Sequence, residues 1–200
     1  MGAVKLQDHI YSVGVLNPSL RVFDIVMEAR FGTSYNAYLI TGEKNVLVET
    51  VHLDYFEEYL ENINSVTDFS NIDYLIMNHT EPDHSGSVAK ILELNPKIKV
   101  VCTQAAQRYL SAIANRDFEC QMVKNGDKLD IGNGRELEFI IAPVSYTHLK
   151  RSLLMFKSFQ RLWKSATILS TYSLGVTPAS AALISIFWPC SSVPVRNITS

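Results

Sequence analysis

Two hundred residues suit one domain or one and a half, and 47% hydrophobic with 19% charged residues excludes a disordered chain. A formal net charge of −2 is too close to neutral for a nucleic-acid binder. The sequence has no basic run and no RNA-binding aromatic signature, so no nucleic-acid partner is expected.

Taken in chain order, residues 10–16 and 21–27 read as strands split by the turn signal Asn17-Pro18. Residues 35–40 and 45–49 flank a hairpin turn at 41–44. The next segment has helical period: Leu53, Phe56, Leu60, Ile63 and Val66 on one face, with Asp54, Glu57, Glu58 and Glu61 on the other. Strand and helix then alternate. Residues 74–77 form a short buried strand, 79–85 a polar loop, and 87–94 a helix stopped by Pro96. Residues 98–102 are the next strand, and 104–114 a helix that Thr103 can cap. Three more strands follow at 121–124, 128–131 and 136–141, with turns at Asn125-Gly126 and Asn133-Gly134. Early strands followed by strand–helix alternation predict an α/β chain of layered sheets with outer helices.

The composition breaks near residue 144. The first 143 residues carry 20 acidic and 12 basic groups, a formal charge of −8, whereas residues 144–200 carry six basic groups and no acidic one, +6. Acidic and basic residues normally share one solvated surface. From Ser165 to Val195 there is no charge at all, and both tryptophans, Trp163 and Trp188, lie in this tail. A membrane anchor is disfavoured because Ser170, Thr171, Ser173, Thr177, Pro178, Ser180 and Ser185 dilute the apolar run. The hexapeptide Val144-Ser145-Tyr146-Thr147-His148-Leu149 is similar to the translation of a transposon-end adaptor used in sequencing libraries. Residues 144–200 are therefore expected to be a non-native or frame-shifted tail, with a genuine divergent domain as the alternative; a short helix is expected around 153–163, and beyond Ser170 Pro178, Pro189 and Pro194 interrupt any long element.

Cys102, Cys120 and Cys190 contain no CxxC pair and read as small apolar fillers in a reducing compartment. The N-terminus carries no secretory signal pattern, so the cytoplasm is the expected location.

The chemistry lies in Asn78-His79-Thr80-Glu81-Pro82-Asp83-His84-Ser85-Gly86-Ser87, where four potential metal ligands occur within six positions directly after a buried strand. In an extended segment alternate side chains share a side, so His79, Glu81 and Asp83 converge, with Pro82 stiffening the path. The plain alternative is a capping loop in which Asp83 is a helix N-cap. This motif and its context resemble the metallo-β-lactamase fold and, within it, the flavodiiron proteins. Hydrolases of that fold usually read His-x-His-x-Asp-His, and here Glu81 stands where their second His belongs. The resemblance extends to Gly32-Thr33-Ser34-Tyr35-Asn36-Ala37-Tyr38-Leu39-Ile40 and covers about residues 3–143. Added carboxylate favours a harder, redox-active ion over zinc.

The resemblance implies an αββα sandwich, incomplete here, over residues 1–143. It implies two iron ions, with His79 and Glu81 on one, Asp83 on the other and His84 a ligand or a support. Glu49, at the end of its strand, stands where related folds have an acidic residue behind the metal. Flavodiiron proteins reduce O2 to water or NO to N2O, fed by FMN in a flavodoxin-like domain whose signature is missing from this sequence. A rubredoxin-like or flavin electron donor and a homodimer are implied as well. The family's third His belongs shortly after Ala142-Pro143, but Tyr146 stands there; no Asp follows Asp130 and no His follows His148. The ligand set is therefore expected to be incomplete and the chain inactive as it stands. A zinc-dependent hydrolase and a non-catalytic remnant of the same fold are the alternatives.

Overall fold

The computed structural model describes residues 2–23, 27–141, 166–168 and 182–187. The strands are β1 Val4–Gln7, β2 Ile10–Ser12, β3 Val15–Asn17, β4 Val22–Phe23, β5 Met27–Glu28, β6 Thr33–Tyr35, β7 Tyr38–Ile40 and β8 Asn45–Val48. After them come α1 Phe56–Asn64, β9 Ile72–Ile76, α2 Pro82–Ser85, α3 Val88–Leu94, β10 Lys99–Cys102, α4 Gln104–Ala114 and β11 Cys120–Met122. The last elements are β12 Lys128–Gly132, β13 Arg135–Ile141, β14 Ala166–Ile168 and β15 Ala182–Phe187.

One sheet runs β1-β2-β7-β8-β9-β10-β11, and β8 to β11 are parallel. A second, antiparallel sheet runs β12-β13-β15-β14. The two-residue period of a strand divides the core between its faces. Leu39, Leu47, Leu75 and Val100 face a cluster with Phe56, Tyr59 and Ile63 of α1, Val88 and Ile91 of α3, and Leu110 of α4. Their neighbours Ile40, Val46, Val48, Ile76 and Val101 face Leu129, Ile131, Leu137 and Phe139 of the second sheet. Among the described residues, helices, sheet and sheet make three layers of the expected four-layer sandwich. Ile140 lies on the other face of β13 and is exposed.

The helices end where their sequences dictate. Thr103 caps α4, its Oγ1 accepting the Ala106 N–H at 3.2 Å, and α3 stops two residues ahead of Pro96. In α1 the face is broader than its spacing predicts: Tyr59 and Asn62 are buried, while Leu53 is exposed in a short 3₁₀ turn.

The expected strand over 10–16 is broken into β2 and β3. Val13 and Gly14 both donate to the Ala37 carbonyl, at 2.9 and 3.1 Å, so two residues oppose one and the ribbon bends. Asn62 then caps the carbonyls of Val13 and Gly14 at 3.2 and 3.1 Å. Gly14 is needed because a Cβ there lies 2.2 Å from the Tyr35 carbonyl oxygen.

The tail adds a short strand to the second sheet. Beyond Ser170, Ala182–Phe187 forms β15 and pairs with β13 from Ile141↔Ala182 to Glu136↔Phe187. Ala182-Leu183-Ile184-Ser185-Ile186-Phe187 is uncharged and rich in strand-forming residues, which lets it add to the open edge of β13. The expected helix around 153–163 lies outside the described residues. Among those residues no helix is long and apolar enough to cross a membrane.

Candidate metal centre

The site sits at the C-terminal ends of β8 and β9, adjacent parallel strands in register at Val48↔Ile76. Open α/β sheets place their ligand crevices at such ends. The segment after β9 is extended only as far as Glu81. There α2 begins, with Pro82 in its first turn and Glu81 as its N-cap residue. Asp83 is thus inside a helical turn, not at its cap, and the expected extended path is corrected. Convergence survives because the turn swings Asp83 back toward the two preceding side chains. One ligand atom each from His79, Glu81 and Asp83 lies within 4.8 Å of the others.

His79 Nε2 is 3.6 Å from Glu81 Oε2, with the two side chains 12% and 21% exposed. That nitrogen is buried and has no hydrogen-bond partner. A buried, unsatisfied ring nitrogen beside two carboxylates costs stability unless something positive is bound among them. The donor set therefore fits a metal cation.

His84 is not among the three converging residues. Its Nε2 lies 3.4 Å from Asp83 Oδ2 and its Nδ1 3.5 Å from Glu49 Oε2, so each ring nitrogen faces a carboxylate. At 3.5 Å the second contact is an ion pair, too long for a good hydrogen bond. Burial pushes His84 down, but Glu49, then Asp83 and Glu81, outweigh it, and the imidazole titrates above its ordinary value.

Glu49 is fully buried and has a left-handed backbone, φ 64°. Its Oε1 accepts the N–H of Asn78 at 2.6 Å and of His79 at 3.1 Å, and its carbonyl accepts the Tyr59 hydroxyl at 2.9 Å. A strained conformation of this kind in a non-glycine residue persists only where the surroundings over-determine it. Thr50 holds the other end of the loop, with both its amide and its hydroxyl donating to the His84 carbonyl. Ser85 ties α2 to the Thr80 and Glu81 carbonyls at 2.8 and 3.0 Å.

Gly86 lets the chain after β8 pass close to α2. A Cβ there lies 2.5 Å from the Pro82 carbonyl oxygen and 3.0 Å from the Leu53 nitrogen, both backbone atoms. Gly86→Ala is expected to destabilise the protein by about 1–3 kcal/mol through this overpacking. Urea unfolding checks it, and an unchanged midpoint contradicts the close approach.

Residue spacing alone missed an aromatic group beside the loop. The Tyr35 and His52 rings stack at 5.8 Å, and Tyr55 lies 5.4 Å from Tyr35. Burial, with the charges of Asp83 and Asp54 adding to it, raises the Tyr35 hydroxyl above its usual value. Only the place of Tyr35 in the stretch 32–40 hinted at this.

Residues 33–179 match the model of a family described as ODP family beta lactamase. The flavo-diiron protein FprA2 of Clostridium acetobutylicum is 60% identical over 144 residues, which are 72% of this chain and 36% of that protein. A nitric oxide reductase of Moorella thermoacetica is 40% identical over 143 residues, 70% of this chain and 36% of that protein. The rubredoxin:oxygen oxidoreductase of Desulfovibrio gigas superposes with a TM-score of 0.66 at 34% identity, covering 69% of this chain and 34% of that one. The chain thus spans about a third of the length of the relatives it matches. Motif, layered fold and matches agree: the chain belongs to the ODP family of β-lactamase-fold domains, and its homologues are flavodiiron and diflavin flavoproteins.

Proposed function

We propose that this chain is the metal-holding front part of a flavodiiron oxidoreductase that reduces O2 to water or NO to N2O. The convergence of His79, Glu81 and Asp83, with the buried Nε2 of His79 lacking a hydrogen bond, carries this reading. In the whole protein His79 and Glu81 would hold one iron and Asp83 the other, as the family resemblance implies. Iron bound there would supply electrons for the reduction, drawn from FMN in the remainder of the protein. The protein residues act as positioners. Glu49 fixes the backbone at His79, and His84 holds the Asp83 carboxylate while Glu49 orients its ring from behind. A rubredoxin-like or flavin donor, a homodimer and a cytoplasmic location belong to the same proposal.

Carboxylate in place of the second His is what separates this site from a zinc hydrolase. The chain expressed with iron and zinc both in the medium is expected to retain iron in preference. Zinc retention with ester or thioester hydrolysis supports the hydrolase instead, and retention of neither metal supports a non-catalytic remnant.

Residues 1–143 are the family domain's own sequence, and 144–200 a non-native tail. The charge step supports this. The family match to residue 179 and the β13–β15 pairing weigh on the other side. Hydrogen exchange decides between them: amides of 182–187 are expected to exchange far faster than those of β9 and β10. Equal protection makes the tail a genuine part of the domain.

A further inference from the structure

Cys102 and Cys120 are 18 positions apart in sequence yet meet on neighbouring strands. They end β10 and begin β11, in a register that pairs Val100 with Cys120 and Cys102 with Met122. The two cysteines are therefore diagonal neighbours on one face of the sheet, with their sulfurs 3.6 Å apart. Cys102 is buried at 2% exposure, and Cys120 is half-buried. β11 is the last strand of its sheet, and among the described residues nothing pairs with its outer edge.

We propose that Cys102 and Cys120 form a reversible thiol–disulfide couple that a hydroperoxide closes. The half-buried Cys120 sulfur attacks one peroxide oxygen: an S–O bond forms, the O–O bond breaks, and the first water leaves. The Cys102 sulfur then attacks the Cys120 sulfur: an S–S bond forms, the S–O bond breaks, and the second water leaves. Two thiols and one hydrogen peroxide give one disulfide and two waters, the pair of sulfurs losing two electrons and two protons.

Thiolate character falls on the more accessible sulfur. The contact between the two sulfurs holds the Cys120 thiol below its ordinary range and pushes Cys102 up, with burial adding to the rise at Cys102. Bonding requires the sulfurs to close from 3.6 Å to about 2.05 Å. β11 is three residues long and, among the described residues, pairs with β10 alone, so a shift there disturbs one strand pairing.

The test is peptide mapping of the 200-residue protein after treatment with a slight excess of hydrogen peroxide. The expected product is a cross-linked pair of peptides carrying Cys102 and Cys120, lighter by two hydrogens and restored by dithiothreitol. In Cys102→Ser the Cys120 sulfur is expected to advance to sulfinic acid instead, because no second thiol traps its first oxidation product. Three results overturn the proposal: sulfinic or sulfonic acid at Cys120 of the unsubstituted protein without the cross-link, a cross-link to Cys190 instead, or two intact thiols. The wild-type map is decisive even if Cys102→Ser fails to fold.

Discussion

Glu49→Ala is expected to lower the free energy of unfolding by about 3–5 kcal/mol, the usual cost of breaking a buried ion pair by removing one partner. The carboxylate is fully buried, and three groups depend on it. Without it the amides of Asn78 and His79 lose their acceptor, and the His84 imidazole keeps only Asp83 to face. Each buried donor left unsatisfied costs about 1–3 kcal/mol. Glu49→Gln separates the contributions. Its amide oxygen still accepts the two backbone N–H groups, so it retains more stability than alanine while losing the charge opposite His84. Tyr59→Phe probes the same junction from the core and is expected to cost about 1 kcal/mol, because the phenol donates to the Glu49 carbonyl. Urea unfolding of the metal-free proteins measures all three. A Glu49→Ala change below about 0.5 kcal/mol, the range of ordinary surface substitutions, sinks the clamp.

The legible parts of this molecule were those written locally. His79, Glu81 and Asp83 stand within five positions, so whichever backbone path they take keeps them near one another. Helix α4 and its Thr103 cap were readable for the same reason. Features that depend on distant partners were not. The bulge at Val13-Gly14 exists because Asn62, 48 and 49 positions away, satisfies the freed carbonyls. Glu49 was recognisable as an acidic residue at a strand end, but its left-handed backbone and its grip on two amides follow from the β8–β9 pairing. His84 read as a fourth candidate ligand, and only the folded chain sets it between Glu49 and Asp83. Cys102 and Cys120 read as separate apolar fillers because no short motif marks neighbours on parallel strands. In the tail the uncharged run has no helical period, and a short strand asks for no more than that.

The largest expected effect concerns the metal itself. Removing a group that merely orients a ligand costs about 10–100-fold in affinity, so removing the ligand His79 is expected to cost at least about 100-fold. The carboxylates of Glu81 and Asp83 remain in His79→Ala, and general negative charge is thereby held nearly constant. A loss of binding then reports coordination and not attraction to an acidic loop. The resemblance implies a third His where Tyr146 stands, and no Asp follows Asp130, so the 200-residue protein is expected to fall short of two tightly held irons. Anaerobic titration of the purified chain and of His79→Ala with ferrous iron, followed by equilibrium dialysis, measures both points at once. Fewer than two equivalents bound by the chain, and at least about 100-fold weaker binding by His79→Ala, is the predicted result. Equal binding by the two proteins contradicts the metal centre, and two tightly bound irons in the unsubstituted chain contradict its incompleteness.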